Sequence, residues 1–366
     1  MHPATAALLA LWQQPLRALT LEPAAWSAVL GAARRARCAG HLMVRLREAG
    51  VIDRLPAPVR GQFESVSVLV AERAAQLRRE LEALGEALAP LAGEVLLLKG
   101  AAYQAQGLPL AAGRIAGDVD LLVTRARLPR AESLLLGAGW MAQRLDGYDE
   151  RYYREWSHEL PPLRHPARSL EVDLHHALTP ALAGGGLDEA AVLAQARRLE
   201  PFLVADPRDQ VLHCAVHAFK DTELDGRLRE LMDFDLLVRA HGGADPVAFS
   251  AALIERALEI GGASPLRWAA RYATAWLGTP VAALAQPPGL AARRVQRRRW
   301  AVPSWRAWWM DRLMGASNLP GAISRPAAPA QLARLLLQAR YHRLRMPPAR
   351  LLAHLAHKSG ARLRLR

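Results

Sequence analysis

The sequence predicts an α+β fold in which a small mixed β-sheet is flanked by helical N-terminal and C-terminal regions. Its strand-like apolar runs cluster near residues 94–123 and 169–175, and much of the remaining chain shows helical spacing. Hydrophobic residues form 51% of the 366 residues, which excludes a globally disordered chain and can supply a large core. We therefore expect helical regions packed around one short sheet.

Composition and turn residues divide the chain into four regions. The N-terminal region is helical, because Leu77, Leu81, Leu84 and Leu88 have the spacing of the buried stripe of an amphipathic helix. Prolines and a glycine in Gln286–Gly289 mark the last linker. The predicted regions are a helical N-terminal region at 1–90, a core at 91–180, a helical region packing on the core at 187–285, and a basic tail at 290–366.

Strands and helices alternate within the core. Gly100 ends the first strand, and Pro129 suits the first turn of a later helix. The predicted order is a strand at 94–99, a helix at 101–107, a strand at 118–123, a helix at 129–136, a further strand at 140–144 and a strand at 169–175.

Two carboxylates begin the strand at 118–123. Asp118 and Asp120 are separated by one residue, so on a strand they point to the same face. Like charges held side by side call for a raised pKa or a bound cation, and Mg²⁺ prefers carboxylates together with phosphate oxygens. The pair predicts a Mg²⁺ site for a phosphate substrate; a solvated turn before the strand is the alternative.

Alternation on the strand at 169–175 puts Glu171, Asp173 and His175 on one face. Asp173 could therefore bring a third carboxylate to Asp118 and Asp120. Gly100, at a strand-to-helix turn, would let the backbone approach a phosphate closely.

Other polar residues have weaker patterns. His175 could contact substrate or pack as a neighbour of Asp173. His213 and His217 lie four apart on a predicted helix, a spacing that can bind zinc, but core or groove packing is the favoured interpretation. Asp233 and Asp235 lie in helical sequence, and we interpret them as structural residues that cap a helix or pair with arginines.

Three segments carry a family resemblance: Leu-Leu-Lys-Gly at 97–100, Arg-Ile-Ala-Gly-Asp-Val-Asp-Leu-Leu-Val at 114–123, and Glu-Val-Asp-Leu-His at 171–175. Together they resemble a bacterial group of largely uncharacterised nucleotidyltransferases in the superfamily typified by DNA polymerase beta. Ala101 departs from that pattern, since a serine or glycine usually follows the first strand's glycine. The gap from Gly100 to Asp118 is also longer than the commonest spacing.

The resemblance implies transfer of a nucleoside monophosphate from an NTP, such as ATP, to an acceptor. The acceptor could be a small molecule, a protein or an RNA. Two Mg²⁺ ions would assist the reaction. The implied catalytic and metal-binding residues are Asp118, Asp120 and Asp173, and the implied nucleotide-binding residues are Lys99, Gly100, Arg114 and Gly117. For Lys99 a solvated strand end is the alternative role, and for Arg114 an ion pair with an aspartate.

The net charge of +14 is concentrated at one end. From residue 286 onward there are 17 lysines and arginines and a single acid, Asp311. Tryptophans lie among these arginines at Trp300, Trp305, Trp308 and Trp309, which suits stacking on nucleic-acid bases or contact with an anionic membrane surface. A helical packing module with solvated arginines is the alternative.

Two other classes of function compete with the enzyme. One is a nucleotidyltransferase-like scaffold that has lost catalysis, and the other is a nucleic-acid-binding protein that acts through the basic tail. The sequence has two cysteines and no stretch approaching the ~20 apolar residues of a membrane span. The N-terminus also has no signal-peptide pattern, and we therefore expect a cytoplasmic protein.

Overall fold

The computed structural model describes residues 1–180, 186–221, 228–281, 304–316 and 328–345. The predicted α+β class is confirmed, since these residues form a mixed sheet with helices at both ends. The strands are β1 (Leu96–Leu97), β2 (Asp118–Leu122), β3 (Glu171–His175), β4 (Arg197–Leu199) and β5 (Phe202–Val204). The helices are α1 (Pro3–Gln13), α2 (Pro23–Arg35), α3 (Ala39–Glu48), α4 (Ala57–Ala87), α5 (Lys99–Ala105), α6 (Leu128–Gly137), α7 (Gly147–Arg151), α8 (Glu189–Ala194), α9 (Pro207–Val216), α10 (Leu228–Gly242), α11 (Pro246–Ile260), α12 (Ala263–Leu277), α13 (Ser304–Ala316) and α14 (Ala328–Arg345).

The sheet has the strand order β3-β2-β1-β5-β4. β2 pairs with β3 in parallel and with β1 in antiparallel orientation, while β5 joins β1 in parallel and β4 in antiparallel orientation. Val119, Leu121, Val172 and Leu174 are fully buried on β2 and β3. The apolar alternation predicted for these two strands therefore faces the core and fixes which residues face the opposite side.

The N-terminal helix α4 packs against α5 and α6, the helices that follow β1 and β2. The predicted leucine stripe lies on α4, where Leu77 and Leu84 are buried. α3 lies directly against the 3₁₀ turn Pro109–Gly113: a Cβ on Gly40 would come within 2.1 Å of the Gly113 carbonyl oxygen. Only glycine permits this close approach of two backbones.

The C-terminal helices pack on one another and also reach α1. α9, α10 and α12 pack together, and α1 contacts α12. The Trp12 indole donates a hydrogen bond to Asp235 over 3.1 Å, which ties α1 to α10. Asp235 also accepts from Arg239, and Asp233 accepts from Arg114, so the structural interpretation of these two aspartates is confirmed.

The predicted secondary structure differs from the structure in one predicted strand and in two strands that were not predicted. The segment 140–144 is not a strand; it makes a single bridge, between Met141 and Arg164. β4 and β5 were not predicted, since each has three residues and is defined by pairing rather than by an alternating pattern. The helix predicted at 129–136 is confirmed as α6.

Two helices of the basic tail are described. α13 carries the exposed Trp305, Trp308 and Trp309, and α14 packs against it. Residues 346–366 of the predicted basic tail lie outside the described residues. Among the described residues, no helix has the length and apolar character needed to cross a membrane.

Candidate active site

The three predicted aspartates lie on one face of two neighbouring parallel strands. β2 and β3 are in register so that Asp118 lies opposite Glu171 and Asp120 lies opposite Asp173. Residues opposite each other on paired strands point to the same face, and residues two apart on one strand do so as well. Asp118 is exposed, Asp173 is partly buried and Asp120 is buried. The sheet thus gathers three carboxylates at increasing depth.

Asp120 is held by two groups from neighbouring elements. Lys99 Nζ lies 2.6 Å from Asp120 Oδ1, and His175 Nε2 lies 3.0 Å from the same oxygen. Burial alone would raise the pKa of Asp120, but Lys99 and His175 bring it well below its ordinary value. Burial opposes the charge on Lys99 as well, but Asp120, Glu159 and Asp118 raise the pKa of this amine. Asp120 and Lys99 are therefore a charged pair at the floor of the site.

Asp173 has a different environment. Its Oδ1 atom is buried and accepts no hydrogen bond within the described part of the chain. Burial, with the nearby carboxylates of Asp120, Glu159 and Asp118, raises the pKa of Asp173 to about 8. A buried acceptor with no donor, surrounded by like charges, is costly unless a cation completes it. The oxygen atoms of the three aspartates fit Mg²⁺, which selects hard oxygen ligands.

Glu159 is a further carboxylate at this face and was not predicted. It forms an isolated antiparallel bridge with His175, and its Oε2 atom lies 3.4 Å from His175 Nε2. The next residue continues the ribbon, since Leu160 N–H donates to the Leu174 carbonyl over 3.0 Å. No local pattern marks Glu159, because its position depends on pairing with β3.

The backbone is unusual where α5 begins. Lys99 has a φ of 46°, a left-handed conformation that non-glycine residues seldom adopt, at a cost of roughly 1–3 kcal/mol. A Cβ on Gly100 would lie 1.9 Å from Arg114 Nη1. The missing side chain of Gly100, predicted to admit a phosphate, therefore makes room for the Arg114 guanidinium.

Arg114 lies in a buried network rather than beside Asp118 and Asp120. Its Nε donates to Asp233 Oδ2 over 3.0 Å, and His41 Nε2 lies 3.1 Å from Asp233 Oδ1. Although burial works against ionisation, Arg114 and His41 lower the pKa of Asp233 below its ordinary value. Gly117 is exposed, with open space next to its Cα, and leads into Asp118.

The chain matches the model of a known family. A family model described as "Uncharacterised nucleotidyltransferase" matches residues 22–278. The chain belongs to this nucleotidyltransferase family. No curated protein and no solved structure matches the chain.

The family match assigns both helical regions to the nucleotidyltransferase. It extends from just before α2 to the end of α12, so it includes helices on either side of the sheet as well as the carboxylate cluster. α1, α13 and α14 lie outside the matched residues. The basic tail thus lies outside the residues that match the family.

The other histidines near the site lie next to the cluster of Asp118, Asp120 and Asp173 and are not part of it. His213 on α9 is buried next to Lys99, and this burial, with the positive charge of Lys99, lowers its pKa well below the ordinary value. The rings of His213 and His217 have centroids 6.5 Å apart. His176 is turned away from its neighbour His175 and contacts the Tyr153 carbonyl over 3.0 Å.

Proposed function

We propose that this nucleotidyltransferase transfers a nucleoside monophosphate from an NTP, ATP among them, to an acceptor hydroxyl and releases pyrophosphate. Asp118, Asp120 and Asp173 would bind two Mg²⁺ ions. Mg²⁺, when bound, neutralises charge on the attacking and leaving oxygens of such an in-line displacement.

One observation carries this proposal: Asp120 and Asp173 are direct neighbours on parallel strands, and the buried Oδ1 of Asp173 accepts no hydrogen bond from described residues. Two adjacent carboxylates with no cation between them are difficult to explain by a purely structural role, because their mutual repulsion costs stability. The same arrangement suits a cation-binding site. Retention of all three aspartates likewise argues against a scaffold that has lost catalysis.

The chain's own residues would orient the triphosphate. Lys99 Nζ, next to Asp120, lies where a phosphate oxygen at the carboxylate cluster would meet it. Gly117 leaves the approach to Asp118 open, since no atom comes within 4 Å of the position that a Cβ would occupy. Arg114 would act indirectly: its ion pair with Asp233 and its contact over Gly100 fix the turn that presents Lys99.

Transfer of label from NTPs tests the proposal. The four NTPs, labelled in the α-phosphate, are incubated with Mg²⁺ and with small-molecule, protein or RNA acceptors. We expect wild-type protein to label one acceptor class. Asp118→Asn and Asp120→Asn should reduce labelling at least about a hundredfold, because metal binding supplies several kcal/mol of transition-state stabilisation. The exposed Glu82→Gln on α4 is the matched control. If both aspartate variants label the acceptor as strongly as wild type does, the proposed enzymatic activity is refuted.

A second proposal concerns the basic tail. Trp305 and Trp308 are 60% and 48% exposed on α13, and the guanidinium groups of Arg306 and Arg312 lie over their rings. Exposed tryptophan next to arginine suits stacking on single-stranded nucleic acid. Binding of a labelled oligonucleotide should weaken with salt and fall in Trp305→Ala and Trp308→Ala. Binding only to anionic lipid vesicles would instead assign this surface to membranes.

A further inference from the structure

The wall of the candidate active site contains a group of ligands unlike the three aspartates. His158, Glu159 and His175 each present one atom to a common point, and these atoms lie within 4.8 Å of one another. Glu159 Oε2 lies 3.5 Å from His158 Nε2 and 3.4 Å from His175 Nε2. The group therefore offers two imidazole nitrogens and one carboxylate oxygen.

The two spacings from Glu159 match those around a small tetrahedral ion. Zinc binds nitrogen at about 2.0–2.1 Å and carboxylate oxygen at about 2.0–2.2 Å, so neighbouring ligand atoms of a tetrahedral site are about 3.4 Å apart. The two measured Glu159 distances agree with this value. Two histidines and a carboxylate with a further position open is also a ligand set of catalytic zinc sites.

The backbone already holds these ligands in place. His158 and Glu159 lie on a ribbon that pairs with β3: the His176 N–H donates to the His158 carbonyl over 2.8 Å, and Glu159 bridges to His175. His158 and His175 are buried, whereas the Glu159 side chain is 30% exposed. Ligands on paired strands give a preformed site, and the partly exposed Glu159 gives an ion access to it.

We propose that His158, Glu159 and His175 form a binding site for a transition-metal dication, with Zn²⁺ as the ion that fits best, next to the Mg²⁺ site of the aspartates. Imidazole nitrogen selects zinc and its neighbours in the first transition row, whereas Mg²⁺ selects oxygen. On binding the metal, His175 Nε2 would give up its hydrogen bond to Asp120, and the ring proton would move to Nδ1. Lys99, 2.6 Å from Asp120 Oδ1, continues to balance the Asp120 charge.

Zinc titration of the full chain in excess Mg²⁺ tests this proposal. After removal of metals with a chelator, calorimetry should detect one Zn²⁺ site per chain that Mg²⁺ does not displace. Co²⁺ in place of Zn²⁺ should give the intense visible absorption of a tetrahedral ion, and this absorption should disappear when Zn²⁺ is added. His158→Gln and Glu159→Gln should each weaken Zn²⁺ binding by at least about tenfold.

Two control variants separate this site from its surroundings. His176→Gln removes the next imidazole on β3, which contacts the Tyr153 carbonyl instead, and should leave Zn²⁺ affinity unchanged. Asp118→Asn should also retain Zn²⁺ while losing Mg²⁺-dependent nucleotide binding, so that failure of the zinc site and failure of the nucleotidyltransferase proposal are distinguishable. If His158→Gln does not fold, the Zn²⁺ affinity of Glu159→Gln tests the site instead, since the Glu159 side chain is partly exposed. Equal Zn²⁺ affinity in wild type and Glu159→Gln, or displacement of Zn²⁺ by Mg²⁺, would overturn the proposal.

Discussion

At the scale of single residues, the site combines one compensated carboxylate with one uncompensated carboxylate. Asp120 is hydrogen-bonded to Lys99 and His175, whereas the neighbouring Asp173 has a buried oxygen that accepts no hydrogen bond from any described residue. Groups arranged for binding and catalysis often reduce the stability of the free protein. The aspartate cluster should therefore be a place where loss of function increases stability.

Asp173→Asn tests this expectation. The amide cannot ionise, so it removes repulsion from Asp120, Glu159 and Asp118 without changing the side-chain shape. We expect the free energy of unfolding without metal to rise by about 0.5–2 kcal/mol. Mg²⁺ should raise the melting temperature of wild type but not of the variant, as measured by differential scanning calorimetry. A less stable variant, or one that Mg²⁺ stabilises as much as wild type, would count against the account.

At the scale of elements, an ion-pair network links α5 with α3 and α10. Arg114 packs over Gly100 at the start of α5 and donates to Asp233 on α10, which also contacts His41 on α3. The network is fully enclosed, so removing one partner leaves the others as buried charges or unpaired donors. The position of Lys99 thus depends on helices distant in sequence.

Asp233→Asn should reveal this dependence through pH. The folded-state pKa of Asp233 is lowered, so its ionisation stabilises the protein above the unfolded value of about 3.9, and this contribution is lost as pH falls through the folded-state pKa. Near pH 7 the variant should lose roughly 3–5 kcal/mol of unfolding free energy. Urea denaturation should show a constant deficit from about pH 5 to pH 8 that shrinks below about pH 4. The exposed Asp53→Asn is the control; a deficit that persists unchanged in acid would contradict the assignment.

The elements also explain how far sequence could predict the site. Asp118, Asp120 and Asp173 follow from alternation on two strands, a local pattern that survives folding. Glu159 and the partner of Arg114 could not be predicted, because each depends on a contact made by the tertiary structure. Arg114 and Asp233 are 119 residues apart, and nothing in either segment specifies the other. β4 and β5 escaped prediction for the same reason, since pairing rather than length defines them.

At the scale of the whole molecule, the helices on both sides of the sheet form one core. Buried residues of α1, the sheet and α12 belong to a single hydrophobic cluster. α1 precedes the residues that match the family, yet Trp12 is buried and donates to Asp235. The N-terminal helix is therefore part of the folded unit in this protein, and we expect it to contribute to stability rather than to nucleotide binding.

Trp12→Phe separates these two roles. Phenylalanine keeps most of the apolar contact but removes the indole donor, leaving Asp235 with Arg239 and Thr279 as its remaining donors. We expect a loss of about 1.5–3 kcal/mol in unfolding free energy, the usual effect of a hydrogen bond to a charged group. Nucleotide affinity should not change, because Trp12 does not line the aspartate site. An unchanged denaturation midpoint would show that this contact is unimportant.

The central claim is that Asp118, Asp120 and Asp173 create a metal-dependent nucleotide site. The most direct measurement is calorimetric titration of each of the four NTPs into purified protein with Mg²⁺, repeated without metal, on Asp118→Asn and on Glu82→Gln. We predict binding of at least one NTP to wild type and Glu82→Gln that requires Mg²⁺ and is lost in Asp118→Asn. If a folded protein supplied with Mg²⁺ binds none of the four, or binds equally well without Asp118, the nucleotidyltransferase site proposed for this chain is contradicted.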